Sequence, residues 1–402
     1  MLRLEDFRHI VPDETLAEIY ARARGLYGRH IIHLNATYQG GGVAEILYSL
    51  VMLMNDVGID AGWRILHGSQ EFFEITKSFH NALQGAKLNL SDRKKRIYRR
   101  VNEDFARFTH LDHDCILVHD PQPLALIRSY QKTQPWIWRC HIDLTEPHAE
   151  LWDFLKGFVL KYDQVVMSSE KYFKKDLPID QRLMYPAINP LSPKNTMISD
   201  KTIEDQLART GVPIDKPLIT QVSRLDPWKD PEGVIDVFKM VRDQVDCRLV
   251  LCYNVASDDP EGLQMYKKVQ RKANKMLETG DILLVVGNSE KLVNAIQRHS
   301  KVIVQKSIKE GFCLAVTEAM WKGTAVVASN VGGIPSQIED GRNGYLLEPQ
   351  DTEGFADRIT RLLKGPDEAI ELGRHAKETV REKFLITRLL SDYLDMLNAI
   401  MN

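Results

Sequence analysis

KEGFCLAVTEAMWKGTAVVASNVGGIPSQI, residues 309–338, reads as a helix ended by Gly323, then a strand, then a turn at Gly332-Gly333. TAVVAS (324–329) is a continuous apolar run, the composition of a strand covered on both faces. KVIVQ (301–305), just before the segment, has the same character. So do PLITQVS (217–223), CRLVLCY (247–253) and DILLVVG (281–287), each separated from the next by a helical stretch. The first half repeats the alternation. HIIHLNA (30–36) precedes a glycine turn and the helical pattern VAEILYSLVMLMN (43–55). WRILH (63–67), CILVH (115–119), PWIWRC (135–140) and QVVMSS (164–169) follow as strand candidates. Strands spaced by helices imply βαβ units and parallel sheets.

The chain has 402 residues, with 44% hydrophobic and 27% charged, an ordinary globular composition. A disordered chain is excluded, and the length suits two or three domains. Prolines gather in YPAINPLSPKN (185–195) and GVPIDKP (211–217), where neither helix nor strand runs easily. The expected division is residues 1–190 and residues 191–384, with an amphipathic helix over 385–402 packing back on the first domain. The fold class is therefore α/β, two Rossmann-like domains facing a central cleft. Ligands collect at the carboxyl ends of strands in such sheets.

Lys plus Arg is 53 against 55 for Asp plus Glu, a net charge of −2. That balance argues against a nucleic-acid partner bound by bulk charge. No apolar run is long enough for a membrane span, and the first 24 residues lack the apolar core of a signal peptide. Cys115, Cys140, Cys247, Cys252 and Cys313 are an odd number with no CxxC spacing, so neither a disulfide framework nor a zinc site is expected. Together these features point to the cytoplasm.

Several constellations could carry chemistry. Gly40, Gly41 and Gly42 follow the first strand and open a helix, where backbone can approach an anion closely. The pattern is not GxGxxG, and no acidic ribose partner follows a second strand, so a nicotinamide enzyme is disfavoured. SRLDPWKD (223–230) sets Arg224 and Lys229 in one turn after a strand, two cations suited to a diphosphate. Glu310 and Glu318 stand eight residues apart. If both border one helix, the rise separates them by roughly 12 Å along its axis. That exceeds the spacing of a glycosidase acid/base pair, roughly 5–10 Å, and suits two hydroxyl acceptors along an extended ligand. Asp112-His113-Asp114 matches a D-x-D metal pattern but lies at the amino end of its strand. His119-Asp120 lies at the carboxyl end, without a recognisable third metal ligand.

The segment from Glu310 to Glu318 resembles the E-x7-E signature of retaining nucleotide-sugar glycosyltransferases of the GT-B fold. SRLDPWKD resembles that family's diphosphate clamp, GYLLEP (344–349) its closing strand, and the Gly40–Gly42 turn its glycine loop. LNATYQGGGVAEIL, VHDPQPLAL, WRCHIDLTEP and SRLDPWKDPEGVI are similar to the trehalose glycosyltransferring synthases within that family, relatives of trehalose phosphorylases. The resemblance implies glucosyl transfer from a nucleoside-diphosphate glucose to free glucose, with retention, giving α,α-trehalose and open to reversal. It implies that Glu318 holds the ribose, that Glu310 accepts from sugar hydroxyls, and that Arg224 and Lys229 bind the diphosphate. The backbone at Gly311, Phe312 and Cys313, with Gly41 and Gly42, surrounds sugar and phosphate. Cys313 departs from the small residue common in the family. His141 lies near the reacting carbon. The acceptor falls to first-domain residues: Tyr38, Gln39, Asp143, Glu146 and Trp152. The expected partners are small molecules: nucleotide-glucose, glucose and trehalose. No cofactor is expected to be tightly bound. No motif calls for Mg, although the chemistry admits it, and a homodimer is compatible with the sequence. Two alternatives stay open, a trehalose phosphorylase using inorganic phosphate and a non-catalytic sugar sensor.

Overall fold

The structure, a computed structural model, describes residues 2–38, 41–254 and 260–401. It divides into two compact units, Met1–Ala187 with Ile386–Asn402, and Ile188–Leu385.

The first unit contains α1 (Asp13–Ala23), β1 (His30–Asn35), α2 (Gly42–Asp56), β2 (Asp60–Ile65), α3 (Gln70–Leu83), α4 (Asp92–Phe108), β3 (Cys115–His119), β4 (Trp136–Cys140), α5 (Ala149–Val159), β5 (Gln164–Met167) and β6 (Asp180–Leu183). All six strands are parallel, in the order β2-β1-β3-β4-β5-β6. Strands β3, β4 and β5 are buried along their whole length, which is why each reads as an unbroken apolar run. In α2, Ile46, Leu47, Leu50, Leu53 and Met54 recur at helical spacing and are buried. The C-terminal helix, Ile386–Met401, returns to this unit and packs against α1 and α2. Its buried face is Ile386, Leu389, Leu390, Tyr393, Leu394 and Leu397. Asn398 Nδ2 fixes it further by donating to the Arg22 carbonyl at 2.9 Å.

The second unit contains α6 (Asp200–Arg209), β7 (Leu218–Arg224), α7 (Pro231–Arg242), β8 (Arg248–Asn254), α8 (Pro260–Glu278), β9 (Ile282–Val286), α9 (Glu290–His299), β10 (Val302–Gln305), α10 (Leu314–Trp321), β11 (Ala325–Ser329), β12 (Tyr345–Leu347), α11 (Thr352–Lys364) and α12 (Pro366–Lys383). Its parallel sheet has the order β12-β11-β10-β7-β8-β9. Alternate residues of one strand feed different cores. Leu249 and Leu251 join the cluster under Val234, Phe238 and Phe355, whereas Val250 and Cys252 join the cluster under Leu207, Leu292 and Ile296. Helices thus cover both faces, and no face is left to be polar.

The proline-rich stretch after residue 187 is not a free linker. Asn294 donates to the carbonyls of Pro193 and Thr196, at 2.9 and 2.8 Å. The Trp321 indole and the Arg298 guanidinium both donate to the Asn195 carbonyl at 3.2 Å. Prolines ended regular structure there, but side chains of α9 and α10 satisfy the exposed carbonyls and fix the path.

Candidate active site

In the second unit the chain order reverses between β7 and β10. Strands β8 and β9 continue on one side, β11 and β12 on the other. The crevice beyond the carboxyl ends of such a pair is where open α/β sheets take ligands. Arg224 is the last residue of β7, and 54% of its side chain is exposed. Its guanidinium reaches the Asp226 carboxylate at 3.2 Å. Asp226 also caps the short turn Pro227–Lys229 by accepting the Trp228 N–H at 2.8 Å. The Gln221 amide donates to the Lys229 carbonyl at 2.7 Å and holds the end of the turn. Asp230 follows at φ 45°, its carboxylate accepting the Gly233 N–H at 3.0 Å and the Lys306 ammonium at 2.6 Å.

That turn aims Lys229 across to the end of β10. Its Nζ bonds the Glu310 carboxylate directly, and Ser307 Oγ donates to the same carboxylate at 3.4 Å. Both side chains of the pair are nearly enclosed. Burial pushes the Lys229 ammonium down, but the adjacent Glu310 carboxylate outweighs it and the net direction is up. Lys229 therefore stays charged.

Glu310 does not lie on the helix that carries Glu318, contrary to the condition under which a helical rise would separate them. The helix α10 begins at Leu314, and Cys313 before it has φ 73°. This left-handed residue turns the chain, so Glu310 sits in the loop after β10 while Glu318 sits inside α10, 3% exposed. Lys194, from the proline-rich stretch, stands 3.5 Å from Glu318. Burial, and then Glu310, push the Cys313 thiol well above its ordinary range, so it is not a thiolate. The loop Gly311–Cys313 is held from behind by Gln337. Its Nε2 donates to the carbonyls of Phe312, at 2.5 Å, and Cys313, at 3.4 Å. Its Oε1 accepts from Thr317 Oγ1 at 2.6 Å. Gly333 lies so close that a Cβ there would sit 2.6 Å from the Gly311 carbonyl oxygen.

In the first unit the reversal falls between β1 and β3. Three histidines climb diagonally across the sheet there. His33 on β1 is registered with Leu117, two residues before His119 on β3. His119 is registered with Arg139, two residues before His141. A step of two keeps the same sheet face, so all three imidazoles meet. His33 Nδ1 lies 3.0 Å from His119 Nε2, and His119 Nδ1 lies 3.1 Å from His141 Nε2. Burial lowers all three, His33 to about 3 and the other two well below the ordinary histidine value; Arg139 adds to the effect on His119 and His141. Asp120, at φ 62°, accepts the His141 backbone N–H at 2.9 Å. Burial pushes the Asp120 carboxyl up to about 6.

The remaining expected residues are scattered in role. Gly41 is extended at φ −179°, and Gly42 opens α2. Among the described residues a Cβ at Gly41 would meet nothing within 4 Å, so their packing does not demand glycine there. Tyr38 is 66% exposed, and Gln39 lies outside the described residues. Asp143 is buried and accepts from the Thr145 N–H and hydroxyl, at 2.8 and 2.5 Å. Glu146 lies on the same loop, its carbonyl facing Gly85. Only 6% of Trp152 is exposed, it belongs to the main core of the first unit, and its indole donates to Asp176 at 3.2 Å. Asp114 of the D-x-D pattern pairs with Arg29 at 3.1 Å and accepts the His30 N–H at 2.8 Å, a structural cap at the amino end of β1. Among the described residues, no three His, Cys, Asp or Glu side chains gather as metal ligands would. Sequence reasoning missed His33, Lys194, Ser307 and Gln337. Only strand order brings His33 to His119, and strand order is not written in local sequence.

Residues 33–174 match the model of the trehalose synthase N-terminal domain, and residues 202–379 match the model of glycosyl transferases group 1. The trehalose synthase of Thermococcus litoralis is 47% identical over 401 residues, 99% of this chain and 97% of that protein. The chain belongs to the trehalose synthase family of glycosyltransferases. Its fold is GT-B. The alpha,alpha-trehalose-phosphate synthase (UDP-forming) from Burkholderia xenovorans, solved in complex with glucose-6-phosphate, superposes with a TM-score of 0.73 over 92% of this chain and 100% of that one, at 14% identity. A trehalose phosphorylase of Grifola frondosa is 27% identical over 402 residues, 87% of this chain but 54% of that protein. Membership in the trehalose synthase family makes the chain an enzyme of trehalose-related glycosyl transfer, which sets aside the sensor reading. No helix among the described residues is long and apolar enough to cross a membrane.

Proposed function

We propose that this enzyme transfers glucose from a nucleoside-diphosphate glucose to the anomeric hydroxyl of free glucose, with retention, forming α,α-trehalose. The observation that carries the reading is the Lys229–Glu310 pair at the β7/β10 reversal, with Arg224 beside it. A charged ammonium, an accessible guanidinium and the amides opening α10 form a set of positive groups for a diphosphate. As the diphosphate leaves, negative charge builds on its oxygens, and these groups stabilise it where it develops. Arrival of the diphosphate draws Lys229 from Glu310, and the freed carboxylate accepts from hydroxyls of the transferred sugar. Glu318 holds the ribose. Positive character grows on the sugar ring, the acceptor attacks from the same face, and a leaving phosphate oxygen takes its proton. Gly41, Gly42 and His141 remain candidates for contact with the donor and the reacting carbon, and Tyr38, Gln39, Asp143, Glu146 and Trp152 remain the acceptor candidates. The coverage of synthase relatives over nearly their full length favours this reading over the phosphorylase one.

The test is incubation with several nucleotide-glucose donors and several acceptor sugars, followed by product identification. The expected product is non-reducing, unphosphorylated and shows a single anomeric doublet with the small α coupling by NMR, because its two glucose halves are equivalent. A phosphorylated or reducing product, or strict dependence on inorganic phosphate, would refute the reading.

A further inference from the structure

We infer that His33 and His119 are positioning residues that fix His141 as a hydrogen-bond donor through Nδ1, unable to act as a base there. The inference rests on the reading that His141 meets the substrate.

The argument is one of proton counting. All three imidazoles are held neutral by burial, so each carries one ring proton. His119 uses both nitrogens within the chain, Nε2 toward His33 and Nδ1 toward His141. With one proton, it must accept on one side and donate on the other. The two hydrogen bonds therefore point the same way, and only two arrangements exist. In one, His33 Nδ1–H donates to His119, His119 Nδ1–H donates to His141 Nε2, and His141 carries its proton on Nδ1. In the other, every proton is reversed.

The far end decides between them. His33 Nε2 is buried with no hydrogen-bond partner among the described residues. In the first arrangement that atom is a bare lone pair. In the reversed one it is an N–H stranded in the core, and orphaned buried N–H groups are rarer and costlier than under-used acceptors. The Tyr393 ring on the C-terminal helix also packs on His33, with centroids 5.8 Å apart in an edge arrangement. An N–H pointing at an aromatic face is a weak substitute for a hydrogen bond. The arrangement with protons directed toward His141 therefore wins. His141 then presents Nδ1–H to a sugar oxygen, which agrees with proton transfer to the leaving phosphate rather than to this ring.

The wild-type enzyme, labelled with 15N-histidine, reports ring tautomers by long-range NMR correlation without any variant. The expected state has His141 protonated on Nδ1 and bare on Nε2 at pH 7.5. A proton on Nε2 of His141, or equal populations, overturns the inference. This readout does not use activity, so it stands apart from failure of the proposed reaction. Activity adds a second arm. His33→Phe removes the first donor of the chain and should shift His141 to mixed tautomers. It should also lower kcat about tenfold with little change in the donor KM. If His33→Phe folds and leaves both tautomer and kcat unchanged, the positioning role is refuted.

Discussion

Lys229 and Glu310, 81 residues apart in sequence, form a direct, nearly buried ion pair across the ends of adjacent strands. Neither lies inside regular structure shared with the other. The pair exists because β7 and β10 are neighbours at the reversal of the sheet, and it joins a residue of the proposed diphosphate clamp to the proposed acceptor of sugar hydroxyls.

Breaking this pair from one side leaves a charge without its partner. Lys229→Met or Glu310→Gln should each destabilise the second unit by about 3–5 kcal/mol, and the double variant by less than the sum. Denaturant midpoints of the three variants check it. Additive losses would show that the two groups do not depend on each other. Arg224→Ala, more exposed, should leave stability within about 0.5 kcal/mol of wild type while turnover falls sharply.

The two glutamates should separate by ligand. Glu310→Ala should abolish transfer yet still bind nucleoside diphosphate, because its proposed partner is the sugar. Glu318→Ala should weaken nucleoside diphosphate itself. Calorimetry on each variant decides it, and equal loss of binding in both would show the roles misassigned.

Gly333→Ala has a steric consequence. The added methyl would press on the Gly311 carbonyl at 2.6 Å and on Phe312 Cα at 2.9 Å, both backbone atoms. The loop must move, at about 1–3 kcal/mol, and donor KM should rise with it. Cys313→Gly acts oppositely. Removing a side chain from φ 73° should stabilise the second unit by about 1 kcal/mol. Thermal unfolding of the two variants should move in opposite directions.

Mild acid should weaken the first unit. The unfolded chain takes up protons on histidine near its ordinary value, about 6.5. Folded His33, His119 and His141 resist, as does His113, each lowered by burial. Between pH 6.5 and 5 the unfolded state thus binds more protons, and stability falls as pH falls, by up to about 1.4 kcal/mol per pH unit for each such group. Asp120 opposes this, because its folded carboxyl, near 6, holds a proton that the unfolded chain has released, but it is one group against several. Urea midpoints followed by tryptophan fluorescence should drop from pH 7 to pH 5, and less steeply in His33→Phe. A flat profile would contradict the burial of neutral imidazoles.

The strands were legible where the sheets are covered on both faces, since CILVH, WIWRC and AVVAS cannot be read otherwise. Strand β6, DQRL, was not. It is an edge strand whose alternation is mostly polar, and it gains its state from pairing with β5. Lys229 could be read as a cation at a strand end, but its bond to Glu310 follows from the order β10-β7, which no local pattern carries. Cys313 is a second case. A glycine there would have announced a left-handed turn, whereas a cysteine does not, so whether Glu310 and Glu318 border one helix stayed a condition in the sequence.

The return of helix Ile386–Met401 to the first unit has a consequence for biosynthesis. The ribosome makes β1 to β6 early, but the helix that buries Leu389, Leu390, Tyr393 and Leu394 against α1 and α2 emerges only after the whole of the second unit. At roughly 5–20 residues per second, about 200 intervening residues impose a wait of roughly 10–40 s. During that wait the apolar faces of α1 and α2 lack their cover and are open to chaperones or to other nascent chains. The second unit, continuous in sequence, can close first, so the order of completion reverses the order of translation.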